Sequence, residues 1–190
     1  MHDDAASLQE VEAVCDLSNI VDNELYRQLV FGWDNLTNNT YYYAKSTEDG
    51  YSIRYIPWDM DYTFGNGWWV CYNDGTMNST ASLVLGRDVA CRDGYEVETE
   101  LPEAAKAEWG NAAAKARWQQ LRQGCFSDAN VEGTLAANQA MLENSGAAIR
   151  EGERWPVQEG SQNYASLEEI LEYTRLRLEI LDDYYSALEE

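Results

Sequence analysis

Acidic side chains crowd two short stretches of this chain. The first is Gly32-Trp33-Asp34-Asn35-Leu36-Thr37-Asn38-Asn39, and the second is Pro57-Trp58-Asp59-Met60-Asp61-Tyr62-Thr63-Phe64-Gly65. Two or three carboxylates and an amide oxygen, held together, suit one task well: binding a hard divalent cation such as Mg²⁺. That ion takes few carboxylates and completes its shell with water and substrate phosphate. Repulsion among Asp34, Asp59 and Asp61 is costly unless a cation or a cationic side chain neutralises it. Taken singly, each acid reads as a turn or cap residue. The pairing of the two stretches is what points to chemistry.

The elements that must position them are legible from periodicity. Residues 16–31 place Ile20, Val21, Leu25, Leu29 and Val30 at helical spacing, with Asp16 or Ser18 as N-cap and Gly32 interrupting the pattern. Residues 40–45, TYYYAK, are strand formers; Asp49-Gly50 signals a turn; YSIRYIPW follows, placing Tyr51, Ile53 and Tyr55 opposite Ser52 and Arg54. A hairpin returns the chain close to its start, so the Asp34 stretch and the Asp59/Asp61 stretch are expected to face each other. Residues 66–100 read as an irregular loop insertion holding Trp68, Trp69, Tyr72, Cys71 and Cys91. The remainder reads as a bundle of three helices. One follows Pro102 and stops at Gly124, with Gly110 as a weak point inside it. The second is capped by Ser127 and carries Val131, Leu135, Met141 and Leu142. The third opens on the capping box Ser166-x-x-Glu169, with Leu167, Ile170, Leu171, Leu178, Leu181, Tyr185 and Leu188 as one stripe and Glu and Arg opposite.

Asp34 to Asn39 is D-x-x-x-x-N. In a protein-kinase catalytic loop the Asp of that spacing accepts the substrate hydroxyl proton and the Asn holds a metal ion; a later Asp, in D-F-G, holds Mg²⁺ against the phosphates. Here Asp61 is followed by Tyr62, Thr63, Phe64 and Gly65. The order D-x-x-x-x-N, hairpin, W-D-x-D-x-x-F-G is far more specific than any of its parts. The run GWDNLTNNTYYY…YSIRYIPWDMDYTFG closely resembles the CotH-type kinases, a bacterial family named for a spore-coat protein. The preceding helix, the RWQQLRQG segment, Glu153–Pro156 and the closing helix resemble the family as well. Thr40 between Asn39 and the Tyr run is a mild departure. The resemblance implies an atypical protein-kinase-like fold and transfer of phosphate from ATP to Ser or Thr of protein substrates. It implies Asp34 as the catalytic-loop aspartate, Asn39 and Asp59 as nucleotide-binding residues, and Asn39, Asp59 and Asp61 as ligands of Mg²⁺ or Mn²⁺. Between Asp59 and Asp61 the main ligand stays open, with Asp59 favoured.

The expected class is thus α+β: a single domain over residues 1–190, mostly helical, with a β-hairpin carrying the metal loops. It matches the C-terminal lobe of a kinase. The strand-rich lobe whose Lys pairs the nucleotide phosphates has no counterpart, so the chain is expected to be a fragment and a poor phosphotransferase alone. The alternative is a non-catalytic cell-surface or envelope interaction module on the same scaffold. An exported or cell-surface place for a full-length form is compatible with either.

Composition narrows the partners. Acidic residues number 34 and basic ones 13, a formal charge of −21. Nucleic acid and anionic membrane surfaces need clustered Lys and Arg, so neither is expected. Basic protein substrates are favoured. Aromatics at 12% of residues predict a packed core, and no apolar run is long enough to span a bilayer. The opening MHDDAASLQE does not read as a signal peptide. One histidine, His2, and four cysteines without a CxxC pair argue against a structural zinc site or a His-based triad. If a disulfide forms, Cys71 with Cys91 is the first candidate. Asn35, Asn38 and Asn78 begin N-x-[ST] triplets, which signal glycosylation only in a eukaryotic secretory setting.

Overall fold

A computed structural model of the chain describes residues 6–35, 39–66, 81–82, 103–156 and 166–189. Trp68, Trp69, Tyr72, Cys71 and Cys91 lie outside the described residues, as does nearly all of the loop expected over 66–100. In chain order the elements are α1 (Leu8–Val14), α2 (Leu17–Val30), a 3-10 turn (Trp33–Asn35), β1 (Thr40–Thr47), β2 (Gly50–Pro57), α3 (Glu103–Arg122), α4 (Asp128–Asn144), α5 (Ala147–Arg154) and α6 (Leu167–Ser186). The described chain is α+β and mostly helical, with one two-stranded antiparallel sheet.

The core lies where α2, α3 and α6 meet. Val21, Leu25, Leu29 and Val30 of α2 pack against Trp118 and Leu121 of α3 and Leu178, Leu181 and Tyr185 of α6, with Phe126 closing the end. The rings of Trp118 and Tyr185 stack with centroids 4.9 Å apart. Trp118 is buried but carries a polar N–H, which donates to Asp182 Oδ1 at 2.7 Å. Lys115 Nζ of α3 donates to the Ser186 carbonyl at 2.8 Å, satisfying an acceptor left over at the end of α6. Arg117 grips both carboxylate oxygens of Asp22 on α2 at 2.7 Å. Arg122 pairs with Asp182 and Asp128.

A smaller cluster of Val11, Ile20 and Ala105 joins α1 to the start of α2 and α3, with Tyr55 of the hairpin against it. Helix α1 was not expected from the pattern. It is short, but Ser7 and Glu10 form a capping box, and the Leu8 N–H donates to Glu108 Oε2 of α3 at 2.9 Å. Cys15 and Cys125 are free thiols, and burial pushes the Cys15 thiol up.

The hairpin pairs Thr40 with Pro57 through to Thr47 with Gly50. The turn residues are therefore Glu48 and Asp49, and Gly50 supplies its φ of 139° as the first residue of β2. Along its outer edge β2 is fastened to the start of α2. The Asp16 N–H donates to the Ile53 carbonyl at 2.9 Å, and the Tyr55 N–H donates to Asn19 Oδ1 at 2.7 Å. The aromatic side chains of the ribbon stay largely exposed, Tyr51 at 72% and Tyr42 at 61%.

Three expectations need correcting. Helix α3 is not continuous, because Gly110 takes φ 76° and ψ 162° and breaks it in two. Ser127 occupies the N-cap position of α4, but its hydroxyl makes no cap bond. Met141 and Leu142 of α4 are exposed, so α4 is a peripheral helix leaning on α6 and not a full member of the bundle. The short α5 that follows it was not anticipated.

Asp16 caps α2 by accepting from the Asn19 N–H at 3.1 Å. It also accepts from the Ser18 hydroxyl and pairs with Arg54, and the Ser18 bond above all holds its carboxyl below the ordinary value of 3.8. A depressed acid contributes stability that is present above its unfolded value and lost as pH falls through the folded one. Asp16→Ala is therefore expected to cost about 1 kcal/mol at neutral pH and close to nothing at about pH 2. Urea unfolding at the two pH values checks it; an equal loss at both would show that the charge is not what matters.

Candidate functional site

Each predicted acid stands at the end of a regular element, and local backbone chemistry explains where. Helix α2 ends because Phe31 turns left-handed, with φ 56°. Its N–H and that of Gly32 close on carbonyls of the last turn, and the Gly32 N–H reaches the Arg27 carbonyl at 2.9 Å. The 3-10 turn follows at once, with the Asn35 N–H on the Gly32 carbonyl at 3.2 Å, and it carries Asp34. Asn39 enters the hairpin with φ 53°. Asp59 leaves it with φ 52°, and Phe64 follows at 53°. Asn and Asp tolerate this left-handed region better than other side-chain-bearing residues, which is one reason these types stand here.

Asp34 and Asn39 are in direct contact, the Asn39 Nδ2 donating to Asp34 Oδ2 at 2.6 Å. That bond turns the amide nitrogen toward the acid and leaves the amide oxygen as the donor available to a cation. The second loop is tied to the first. The Trp58 N–H donates to the Asn39 carbonyl at 2.7 Å, which seats Asp59 one residue beyond. The Phe64 N–H donates to the Val30 carbonyl at 2.6 Å, pinning the far end of the same loop to the end of α2. The rings of Trp33 and Tyr62, neighbours of Asp34 and Asp61, stack with centroids 5.7 Å apart. The two loops therefore lie side by side, as the hairpin required.

The carboxylates do not gather as tightly as expected. Among the described residues no three His, Cys, Asp or Glu side chains form a group able to hold a metal ion. Asp34 is half-buried, while Asp59 and Asp61 are exposed. The Asp61 backbone carbonyl accepts from Asn66 Nδ2 at 3.1 Å. Asp34, Asp59 and Asp61 thus do not make a three-carboxylate cage. The donor set still suits Mg²⁺ or Mn²⁺ bound with a nucleotide. All its donors are hard oxygens, and such ions take one or two carboxylates while water and phosphate fill the other positions.

Three residues that hold the site were missed by the sequence reading. Asn35, read only as the first residue of an N-x-[ST] triplet, is 1% exposed. Its Nδ2 donates to the Asn39 carbonyl at 2.9 Å and to the Trp58 carbonyl at 2.7 Å. Arg27, buried in the last turn of α2, donates to the Asn35 carbonyl at 2.7 Å. Arg177 was placed on the polar face of the last helix, yet it has no exposure at all. It donates to the Gln28 carbonyl at 2.8 Å and to the Ala81 carbonyl at 2.7 Å. A signal for it existed: it lies one turn from Tyr173 and one from Leu181, on the apolar stripe.

Two acidic loops presented by the ends of a helix and a hairpin, above a three-helix core, define the class of protein by its site. The particular family follows from comparison: the model of the CotH kinase protein family matches residues 2–181, and the chain belongs to that family. No curated protein and no solved structure matches it. The family is kinase-like. Among the described residues, no helix is long and apolar enough to cross a membrane.

Gly32 sits between the two loops, beside Asn35 of one and Met60 of the other. A Cβ there would meet Asn35 Oδ1 at 3.2 Å and Met60 Cε at 3.3 Å. The methionine can swing aside, but the clamped Asn35 cannot. Gly32→Ala is expected to cost about 1–3 kcal/mol. Urea unfolding measures it, and a loss below a few tenths would show that the loops have slack.

Proposed function

We propose that this chain is the metal- and nucleotide-binding lobe of a CotH-like protein kinase, with the kinase-like arrangement of catalytic loop, hairpin and metal loop, and that the reaction is phosphoryl transfer from ATP to Ser or Thr hydroxyls of a protein. The observation that carries the reading is the Asp34–Asn39 contact beside the Trp58–Asp59 strand end. The two halves of the D-x-x-x-x-N spacing meet in space, and the second acidic loop is hydrogen-bonded to them.

In this reading Asp34 is the catalytic residue. Its carboxylate accepts the proton of the substrate hydroxyl as that oxygen bonds to the γ-phosphorus and the bond to the β-γ bridging oxygen breaks, releasing ADP. Asn39 offers its amide oxygen and Asp59 its carboxylate to Mg²⁺ or Mn²⁺, with Asp61 as a further ligand. When bound, the ion neutralises charge on the phosphates and relieves the repulsion among the acids. Asn39 has a second duty, since its Nδ2 bond to Asp34 fixes the rotamer of the catalytic carboxylate. The net charge of −21 favours substrates rich in Lys and Arg, by steering their approach.

The test separates binding from chemistry. The chain is expected to bind ATP only when Mg²⁺ or Mn²⁺ is present, measured calorimetrically. Asp59→Asn should weaken that binding by roughly tenfold or more. Asp34→Asn should leave nucleotide binding nearly intact and lower by about 10²–10⁴-fold the slow transfer of labelled phosphate to a basic protein that the chain supports alone. ATP binding that ignores the divalent ion, or is untouched by Asp59→Asn, would sink the assignment.

A further inference from the structure

The roles given to Asp34, Asn39 and Asp59 require that two loops of like charge keep a fixed separation when no cation sits between them. Repulsion at close range would otherwise spread them. One buried side chain touches both loops. Asn35 follows Asp34 directly, and its carboxamide donates one proton to the carbonyl of Asn39 at 2.9 Å and the other to the carbonyl of Trp58 at 2.7 Å. Each contact is therefore within one residue of an acid or amide assigned to the site. The side chain is neutral, so it brings the loops together without altering the charge that a cation would meet. It is also buried, at 1% exposure, where an amide hydrogen bond is strongest and a lost one costliest. Its own backbone cannot shift, because its carbonyl accepts from Arg27 Nη1 at 2.7 Å and its N–H reaches Gly32.

Resting on the kinase reading above, we infer that Asn35 is the positioning residue of the site: its carboxamide sets the distance between the Asp34–Asn39 pair and Asp59, and so the affinity for the divalent ion. Only a side chain with two N–H donors on one atom can make both bonds at this reach. An aspartate of the same shape presents oxygens to two carbonyl oxygens and repels both. Burial also removes this asparagine from use as a glycosylation acceptor in the folded chain.

The experiment uses the full chain and Mn²⁺ alone as probe, with amide exchange followed by NMR. In the unaltered protein both Nδ2 protons of Asn35 should exchange far more slowly than those of Asn111, whose side chain bonds at the surface. Exchange as fast as at Asn111 overturns the clamp without any substitution. In Asn35→Asp, exchange at the Trp58 amide should quicken by roughly tenfold or more, while the Phe64 amide, bonded to Val30 on the other side of the same loop, keeps its protection. Mn²⁺ affinity should fall by about 10–100-fold. Unchanged Trp58 exchange, or equal quickening at Phe64, overturns the positioning role. If the unaltered protein binds no Mn²⁺, the kinase reading fails, and the exchange data still decide whether Asn35 holds the loops.

Discussion

A guanidinium with no solvent exposure must find all its acceptors inside the protein. Arg177 is such a group, and the segments it joins are the ones that position the acidic loops. It donates to the Gln28 carbonyl near the end of α2 and to the Ala81 carbonyl, and its Cζ lies 5.3 Å from the centre of the Phe31 ring. Phe31 is the left-handed residue that ends α2 and throws the chain into the Asp34 turn. Arg27, one turn earlier, holds the Asn35 carbonyl. Two buried guanidiniums thus hold the end of α2 and the start of the Asp34 turn. Burying an isolated Arg is expensive, and only hydrogen bonds and nearby negative charge repay it. In a chain of charge −21 the surrounding field already favours a buried positive group.

This arrangement explains why the hairpin can be so exposed. A two-stranded ribbon in water is marginal by itself. Here it is held at its base by the bond from Trp58 to Asn39 and along one edge by Asp16 and Asn19. Tyr42 and Tyr55 add an edge-to-face pair across the strands with centroids 4.5 Å apart, and Tyr41 packs edge-on to Trp58 at 5.4 Å. The ribbon's role in the fold is to bring the two loops back together, with Tyr55 packed against the small Val11–Ile20–Ala105 cluster. Helices α2, α3 and α6 supply the rigid platform, through large side chains and paired ions that lock their relative positions.

Much of this was legible in the sequence, and the failures have physical causes. The helix over 16–31, the hairpin and the closing helix follow from periodicity and capping chemistry, and α2, β1, β2 and α6 lie where those patterns put them. The helix stops just before Gly124, as expected, and the weakness at Gly110 follows from glycine's backbone freedom, its φ of 76° breaking the helix in two. Apolar spacing overstated α4, since Met141 and Leu142 have the right period and nothing to pack against among the described residues. At the site, the types and spacing of Asp34, Asn39, Asp59 and Asp61 were visible because acids in loops stand out. Asn35, Arg27 and Arg177 were not, because a polar residue serving a buried network looks like any surface residue until its burial is known. Charged residues inside apolar stripes carry that information, and Arg177 shows how easily it is assigned to the wrong face.

The left-handed backbones at Asn39 and Asp59 separate the two residues energetically. A non-glycine residue in that region costs about 1–2 kcal/mol. At Asn39 the cost is met locally: its side chain bonds to a carboxylate, a type worth about 1.5–3 kcal/mol, and its carbonyl accepts from both Trp58 and Asn35. At Asp59 no side-chain bond offsets the strain among the described residues. Its conformation is imposed from both sides, by the pinned Trp58 before it and by Met60 after it, whose carbonyl accepts from the buried Thr63 hydroxyl at 2.8 Å. Strain that is maintained by neighbours and leaves an exposed carboxylate uncommitted is the pattern of a binding residue held ready. Asp61 has no such strain. Under the kinase reading that difference favours Asp59 over Asp61 as the acid that meets the ion, a choice the spacing W-D-x-D left open.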